Sequence, residues 1–182
     1  MIRVAGICFC ILFSIFLVGC ATKGDLPSGY QFDSQSKEGV VVFSISCNVA
    51  PGILTLVAQS SNYMPYSIPV NCYSDKESLS QPQLKVMNLS PGRYHFRGFS
   101  EQQGMTVLSA PGFKYIYFDV KPGVVSYLGW FAITDNAIRL ANGKKHDIPW
   151  FKQLHPGITA PIEIQRPDFS QDEDPMAKLM NL

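Results

Sequence analysis

Five Pro-Gly pairs cut most of the chain into short runs: Pro51-Gly52, Pro91-Gly92, Pro111-Gly112, Pro122-Gly123 and Pro156-Gly157. Proline fixes φ near the value required at the second position of a type II turn, and glycine supplies the positive φ at the third. Each pair therefore predicts a chain reversal. Between them the side chains alternate with a period of two. In Val41-Val42-Phe43-Ser44-Ile45-Ser46-Cys47 the odd positions are apolar and two even ones are serine. Ile53 to Ala58 is apolar on both faces, as in a central strand, and Leu84 to Leu89 follows. Arg93-Tyr94-His95-Phe96-Arg97 sets aromatic against basic residues, and Phe113 to Val120 and Val124 to Ile133 are the longest runs. Turns every ~8 to 20 residues predict an all-β fold, an antiparallel β-sandwich. Asn142-Gly143 predicts one more hairpin, between Ala137-Ala141 and Lys144-Ile148. One short C-terminal helix is predicted, with Asp147 as N-cap and Pro149 in its first turn. Trp150, Phe151 and Leu154 would form its apolar side, two turns at most before Pro156-Gly157.

The first nineteen residues obey different rules. Arg3 is followed by an apolar run from Val4 to Val18, and no acidic residue precedes Asp25. A positive start, a short apolar stretch and a small-residue end make a secretory signal. As a helix the run would extend roughly 22 Å, short of the roughly 30 Å hydrocarbon core. It ends in Leu17-Val18-Gly19-Cys20, which resembles the lipobox of bacterial lipoproteins. The resemblance implies cleavage between Gly19 and Cys20 and a diacylglycerol thioether on the Cys20 thiol. Two or three acyl chains at about 0.8 kcal/mol per buried CH₂ anchor durably. The alternative is an ordinary signal peptide ending by chance in cysteine. In Gram-negative lipoproteins an Asp after the lipidated cysteine marks inner-membrane retention, so Ala21 implies the outer membrane for a Gram-negative source.

Without residues 1–19 the chain loses Arg3 and no acid, leaving 14 basic against 14 acidic side chains. A net charge of zero argues against a nucleic-acid partner, which requires a basic surface. Cys8 and Cys10 leave with the signal and Cys20 is lipidated, so Cys47 and Cys72 remain. In an oxidising envelope these two are expected to pair; the alternatives are two separate buried thiols and a redox or metal pair, which lacks the close CxxC spacing and a neighbouring His. The expected organisation is a signal peptide over 1–19, a flexible tether over 20–37, a β-sandwich over 38–165 and a largely disordered tail over 166–182.

Two stretches carry a second resemblance. Leu89-Ser90-Pro91-Gly92-Arg93-Tyr94 looks like the L-x-P-G-x-Y turn and strand of small bacterial β-sandwiches. Phe118 to Gly129 resembles the F-x-V-x-x-G-x-x-x-Y-x-G stretch of uncharacterised envelope lipoproteins. The resemblance implies a prealbumin-like or immunoglobulin-like sandwich and supplies no catalytic residues.

Motifs of chemistry are sparse. His95, His146 and His155 lack HExxH, HxH or His-Cys spacing, so no metal site is predicted and the three are expected at the surface. There is no GxSxG and no Gly-rich phosphate loop. Two features stand as candidate contact sites. With Tyr94 and Phe96 inward, Arg93, His95 and Arg97 would point outward together, and Tyr115 and Tyr117 would complete a basic, aromatic face for glycan, peptidoglycan or an anionic peptide. The Tyr63, Met64 and Tyr66 segment reads as a long loop or edge suited to a protein partner. The expected function is a non-enzymatic, membrane-anchored envelope lipoprotein without cofactor, serving binding or assembly. The rivals are an accessory subunit of a secretion or pilus-type envelope complex and, less favoured, an envelope hydrolase.

Overall fold

The computed structural model describes residues 25–49, 51–58, 65–72, 79–101, 107–108, 117–134 and 137–165. Residues 1–19, expected to be a signal peptide, and Cys20, Tyr63, Met64, Tyr115 and residues 166–182 lie outside the described residues. In chain order the elements are β1 (Gly39–Cys47), β2 (Gly52–Ala58), β3 (Tyr66–Val70), β4 (Gln83–Leu89), β5 (Gly92–Glu101) and β6 (Val107–Leu108). They continue with β7 (Tyr117–Val120), β8 (Val125–Thr134), β9 (Ala137–Ala141), α1 (Lys144–Leu154) and β10 (Ile162–Ile164).

The strands form two five-stranded sheets packed as a sandwich, as the alternation predicts. The first runs β10-β8-β1-β4, with β9 also paired to β8; the second runs β3-β2-β5-β6, with β7 also paired to β5. The first sheet is mixed rather than purely antiparallel, because β1 and β10 both run parallel to β8. The Pro-Gly pairs explain this. Pro51-Gly52, Pro91-Gly92 and Pro122-Gly123 do not close hairpins within a sheet; each lies where the chain passes from one sheet to the other. At Pro122-Gly123 the expected left-handed glycine is present, with φ +66°, and a Cβ there would lie 2.3 Å from the Ser34 carbonyl oxygen. Gly52 and Gly157 do not take positive φ, so the type II geometry is not general.

Between the sheets lies the main core. Val41, Phe43 and Ile45 of β1 face Leu54 and Leu56 of β2 and Phe96 and Phe99 of β5, all fully buried. Phe43, Phe96 and Phe131 meet edge to face, with ring centroids 5.0 to 5.5 Å apart, an arrangement favoured by the ring quadrupoles. Two irregularities shift the alternation so that this face stays apolar. In β5, Thr55 pairs with Gly98 and Leu56 with Phe96, leaving Arg97 as the extra residue of a β-bulge. Phe96 and Phe99 therefore both point inward despite their odd spacing. In β8, Val42 pairs with Tyr127 and Ser44 with Trp130, and Gly129 absorbs the bulge at φ +104°.

The Cys47–Cys72 disulfide is formed, with Cα atoms 5.2 Å apart. It joins the end of β1 in the first sheet to the residue pair after β3 in the second, stapling the sandwich across its core. Beside it, the Gln83 side-chain amide pairs with the Asn71 backbone in both directions, donating to its carbonyl and accepting its N–H.

The outer face of the first sheet is covered as well. Val40, Val42, Val86, Val125 and Tyr127 form a second core with Phe32, Phe151, Ile158 and Ala160. Within the stretch expected to be a flexible tether, Leu26, Tyr30 and Phe32 dock on this face. Leu26 N–H donates to the Val86 carbonyl at 2.7 Å, and the Asp25 carboxylate accepts from Val86 N–H and Lys85 Nζ, each at 3.2 Å. These contacts cover the β4 edge, which would otherwise be open to pairing. Phe32, only 3% exposed, then bridges to Ile158. Phe32 offers a large apolar ring to Val40 and Val42, a reason to dock that a count of polar residues misses.

The helix is also corrected. It has 11 residues, three turns, and takes in Lys144-Ile148, which the Asn142-Gly143 hairpin had assigned to a strand. Asn142 Oδ1 instead accepts from Lys144 N–H at 3.2 Å, turning the chain into α1. The β9 strand that precedes it pairs with β8. Asp147 is not the N-cap and Pro149 falls in the second turn. Phe151 is buried, whereas Leu154 is 41% exposed and lies off the packed side.

Candidate functional site

The predicted contact face is built in part. Tyr94 and Phe96 point inward, at 3% and 0% exposed. Antiparallel register sets Arg93 opposite Asp119 and His95 opposite Tyr117 on the other face. The Arg93 guanidinium lies 5.2 Å from the Tyr117 ring centroid, and the His95 ring lies 5.3 Å from the same ring on its other neighbour. A cation over a half-buried tyrosine near the surface contributes about 1 kcal/mol. Arg93 Nε also approaches Asp119 at 4.0 Å, both side chains more than half exposed, a pair that contributes little in water. The face is thus less basic than expected, because Asp119 answers Arg93. The bulge at Arg97 removes the regular alternation on which its place beside Arg93 and His95 rested. Of the two readings, loop or edge, Tyr66 takes the edge: it opens β3, the edge strand of the second sheet, and its ring lies 6.4 Å from that of Tyr94. Tyr94 in turn donates its hydroxyl to the Ser90 carbonyl at 2.8 Å, closing the Pro91-Gly92 crossing. Burial, with the Tyr66 hydroxyl adding to it, pushes the Tyr94 hydroxyl up to about 12.

A polar cluster that the sequence reading missed lies on the outer side of the first sheet. Asp147, in the first turn of α1, is 0% exposed. Its Oδ2 accepts the Ser44 hydroxyl from β1 and the Tyr127 hydroxyl from β8, each at 2.7 Å. Its Oδ1 meets His146 Nδ1 at 3.1 Å. Gly143 is required beside it, since a Cβ there would lie 2.5 Å from Asp147 Oδ2 and 2.9 Å from the Tyr127 hydroxyl. Removal from water raises the Asp147 carboxyl above its ordinary value of 3.8, against the opposing pull of Ser44, Tyr127 and His146. The Tyr127 hydroxyl is also raised, first by burial and then by the carboxylate beside it. Two residues on along the same face, Ser46 Oγ accepts from Trp130 Nε1 at 2.8 Å, both residues buried.

The signal for this cluster was present in β1. Ser44 and Ser46 share a strand face with Val40 and Val42, and a serine on a buried face needs a partner. The sequence did not tell that this face was buried.

His146 reaches outward from that buried carboxylate. Its side chain is 58% exposed while Asp147 is sealed. The ring stands edge to face with Trp150 at 5.4 Å, next to a cleft of about 400 Å³ lined by Pro82, His146, Pro149, Trp150 and Gln153. His155, expected at the surface, is instead 6% exposed, with Nδ1 unpartnered. Burial lowers its basicity, opposed by the Pro27 carbonyl and Asp25. Among the described residues no group of three or more His, Cys, Asp or Glu is placed to hold a metal ion. No helix among them is long and apolar enough to cross a membrane.

No protein-family model, no curated protein and no solved structure matches the chain.

Proposed function

We propose that the chain is an envelope lipoprotein, held at a membrane by diacylglycerol on Cys20, whose β-sandwich is a non-enzymatic binding or assembly module. The observation that carries this reading is the position of Leu17-Val18-Gly19-Cys20 at the end of an apolar run, only five residues before Asp25 docks on β4. Five Cα steps reach at most about 18 Å. A lipid on Cys20 therefore keeps the sandwich against the bilayer surface, with its Asp25 side nearest the headgroups. A Cys47–Cys72 bridge fits an oxidising compartment, and Ala21 favours the outer membrane in a Gram-negative cell.

In this reading the Arg93–Tyr117–His95 face of the second sheet is the contact surface for a protein or anionic glycan. The test is crosslinking of the native lipoprotein in its own cells, followed by mass spectrometry, repeated with Arg93→Glu and Tyr117→Ala. A reproducible envelope partner that both variants lose is the expected result, and a set of subunits from one complex would make the chain its accessory subunit. Partners unchanged in both variants would remove this face from the account. Release of the Cys20→Ala variant from membranes tests the anchor separately.

A further inference from the structure

We infer that the cleft beside α1 is a binding site for a neutral saccharide, with Trp150 as its stacking wall and His146 and Gln153 as its hydrogen-bonding groups. The inference adds a ligand class and a second site to the proposed function and does not depend on the lipid anchor.

The helix period carries the first part. His146, Pro149, Trp150 and Gln153 fall at i, i+3, i+4 and i+7, one stripe along α1. The opposite stripe, Asp147 and Phe151, is buried against the first sheet. Pro82, just before β4, closes the other side.

The second part is chemical. Trp150, Pro82 and Pro149 supply flat apolar surface, which suits the C–H faces of a sugar ring against an aromatic quadrupole. His146 and Gln153 supply directional polar groups, the usual combination of apolar wall and few polar groups in a small-ligand site. Among the described residues, the five that line the cleft carry no carboxylate, ammonium or guanidinium, so they favour a neutral ligand over a phosphate, a uronic acid or an amine.

The third part is the fixing of His146. An exposed side chain ordinarily loses rotamer freedom when a ligand binds. Here the buried Asp147 carboxylate holds Nδ1 at 3.1 Å, and two hydroxyls hold that carboxylate in turn. With Nδ1 donating to Asp147, Nε2 is the atom presented outward, an acceptor for a sugar hydroxyl in the neutral ring. A carboxylate that orients a ring is a positioning group, so Asp147 acts through His146 rather than on the ligand.

Trp150 supplies the reporter. The only other tryptophan, Trp130, is buried with its Nε1 bonded to Ser46 and so serves as an internal reference. The full-length protein in mild detergent is titrated with neutral oligosaccharides of N-acetylglucosamine, glucose and mannose at up to millimolar concentration, following tryptophan emission. A saturable shift with at least one of them is expected. Trp150→Ala, which removes the reporter and is therefore titrated by calorimetry, should abolish binding, and Gln153→Ala, at an exposed position, should weaken it roughly 3- to 10-fold, as for one lost hydrogen bond. Asp147→Asn should weaken it while the protein stays folded by circular dichroism. Arg93→Glu should leave it unchanged. No shift with any neutral sugar overturns the inference, as does binding that survives both Trp150→Ala and Gln153→Ala. An anionic oligosaccharide binding more tightly than its neutral counterpart overturns the assigned ligand class.

Discussion

Replacing Asp147 separates what its shape contributes from what its charge costs. Ser44 and Tyr127 both donate to its Oδ2 at 2.7 Å, and the cluster is sealed from solvent. Asp147→Ala leaves two buried hydroxyls without their acceptor, at about 1–3 kcal/mol each, so roughly 2–6 kcal/mol of stability should be lost. A chain of this length loses roughly 3 °C in melting temperature per kcal/mol, which puts the drop at about 6–18 °C. Asp147→Asn keeps an oxygen in the same place for both hydroxyls and should stay within about 1 kcal/mol of the parent.

The pH dependence then distinguishes the two parent forms. A carboxyl raised above its ordinary value of 3.8 holds its proton more tightly in the fold than in the unfolded chain. The parent therefore loses stability as pH rises from about 4 through the raised value and is flat above it. His146 on α1 and Tyr127 on β8 also face the carboxyl, and the Tyr127 hydroxyl, raised by burial, keeps its proton throughout that window. The asparagine variant has no carboxyl to titrate and should lack this slope. Urea or thermal denaturation followed by circular dichroism across pH 4 to 8, with the disulfide intact, reads all three proteins. An asparagine variant as unstable as the alanine variant would refute the reasoning, because the ionised charge itself would then be the stabilising element.

Three further perturbations have definite expectations. Phe32→Ala should cost about 3–5 kcal/mol, as for a buried aromatic, measurable by urea titration; a loss near zero would restore the flexible tether at that point. Reduction of Cys47–Cys72, which spans 25 residues, should cost about 3 kcal/mol, seen as a lower denaturation midpoint in reductant, and an unchanged midpoint would deny it a stabilising role. Gly123→Ala places a Cβ 2.3 Å from the Ser34 carbonyl oxygen at φ +66°. It should lower stability by more than the roughly 1–2 kcal/mol of the left-handed backbone alone, and a neutral effect on melting temperature would contradict that geometry.

What was legible in the sequence was what alternation and turn chemistry encode locally. Val41 to Cys47, Ile53 to Ala58 and Leu84 to Leu89 became β1, β2 and β4, and Tyr94 and Phe96 pointed inward as their parity required. Pro51, Pro91 and Pro122 marked real reversals, but a turn residue does not say whether the chain returns to its own sheet or crosses to the other. That gap hid the parallel β1–β8 pairing. The bulges at Arg97 and Gly129 were hidden for a related reason, since a one-residue shift in parity is visible only against a paired strand. The candidate cluster was missed because Asp147 before Pro149 reads as an N-cap. Tertiary partners on β1 and β8, over 100 and 20 residues away respectively, decided otherwise. Phe32 was one apolar ring in a polar stretch, and only the Val40–Val42 face explains why it docks.

The central claim is that Cys20 carries the lipid that holds this sandwich at a membrane. The most direct measurement is the intact mass of the protein extracted from the membrane fraction, alongside the Cys20→Ala variant. The account predicts a chain beginning at Cys20, heavier than residues 20–182 by a diacylglyceryl group and any N-acyl chain, with that species absent from the variant. An unmodified chain beginning after residue 19, or an uncleaved chain of 182 residues in the same fraction, would contradict it.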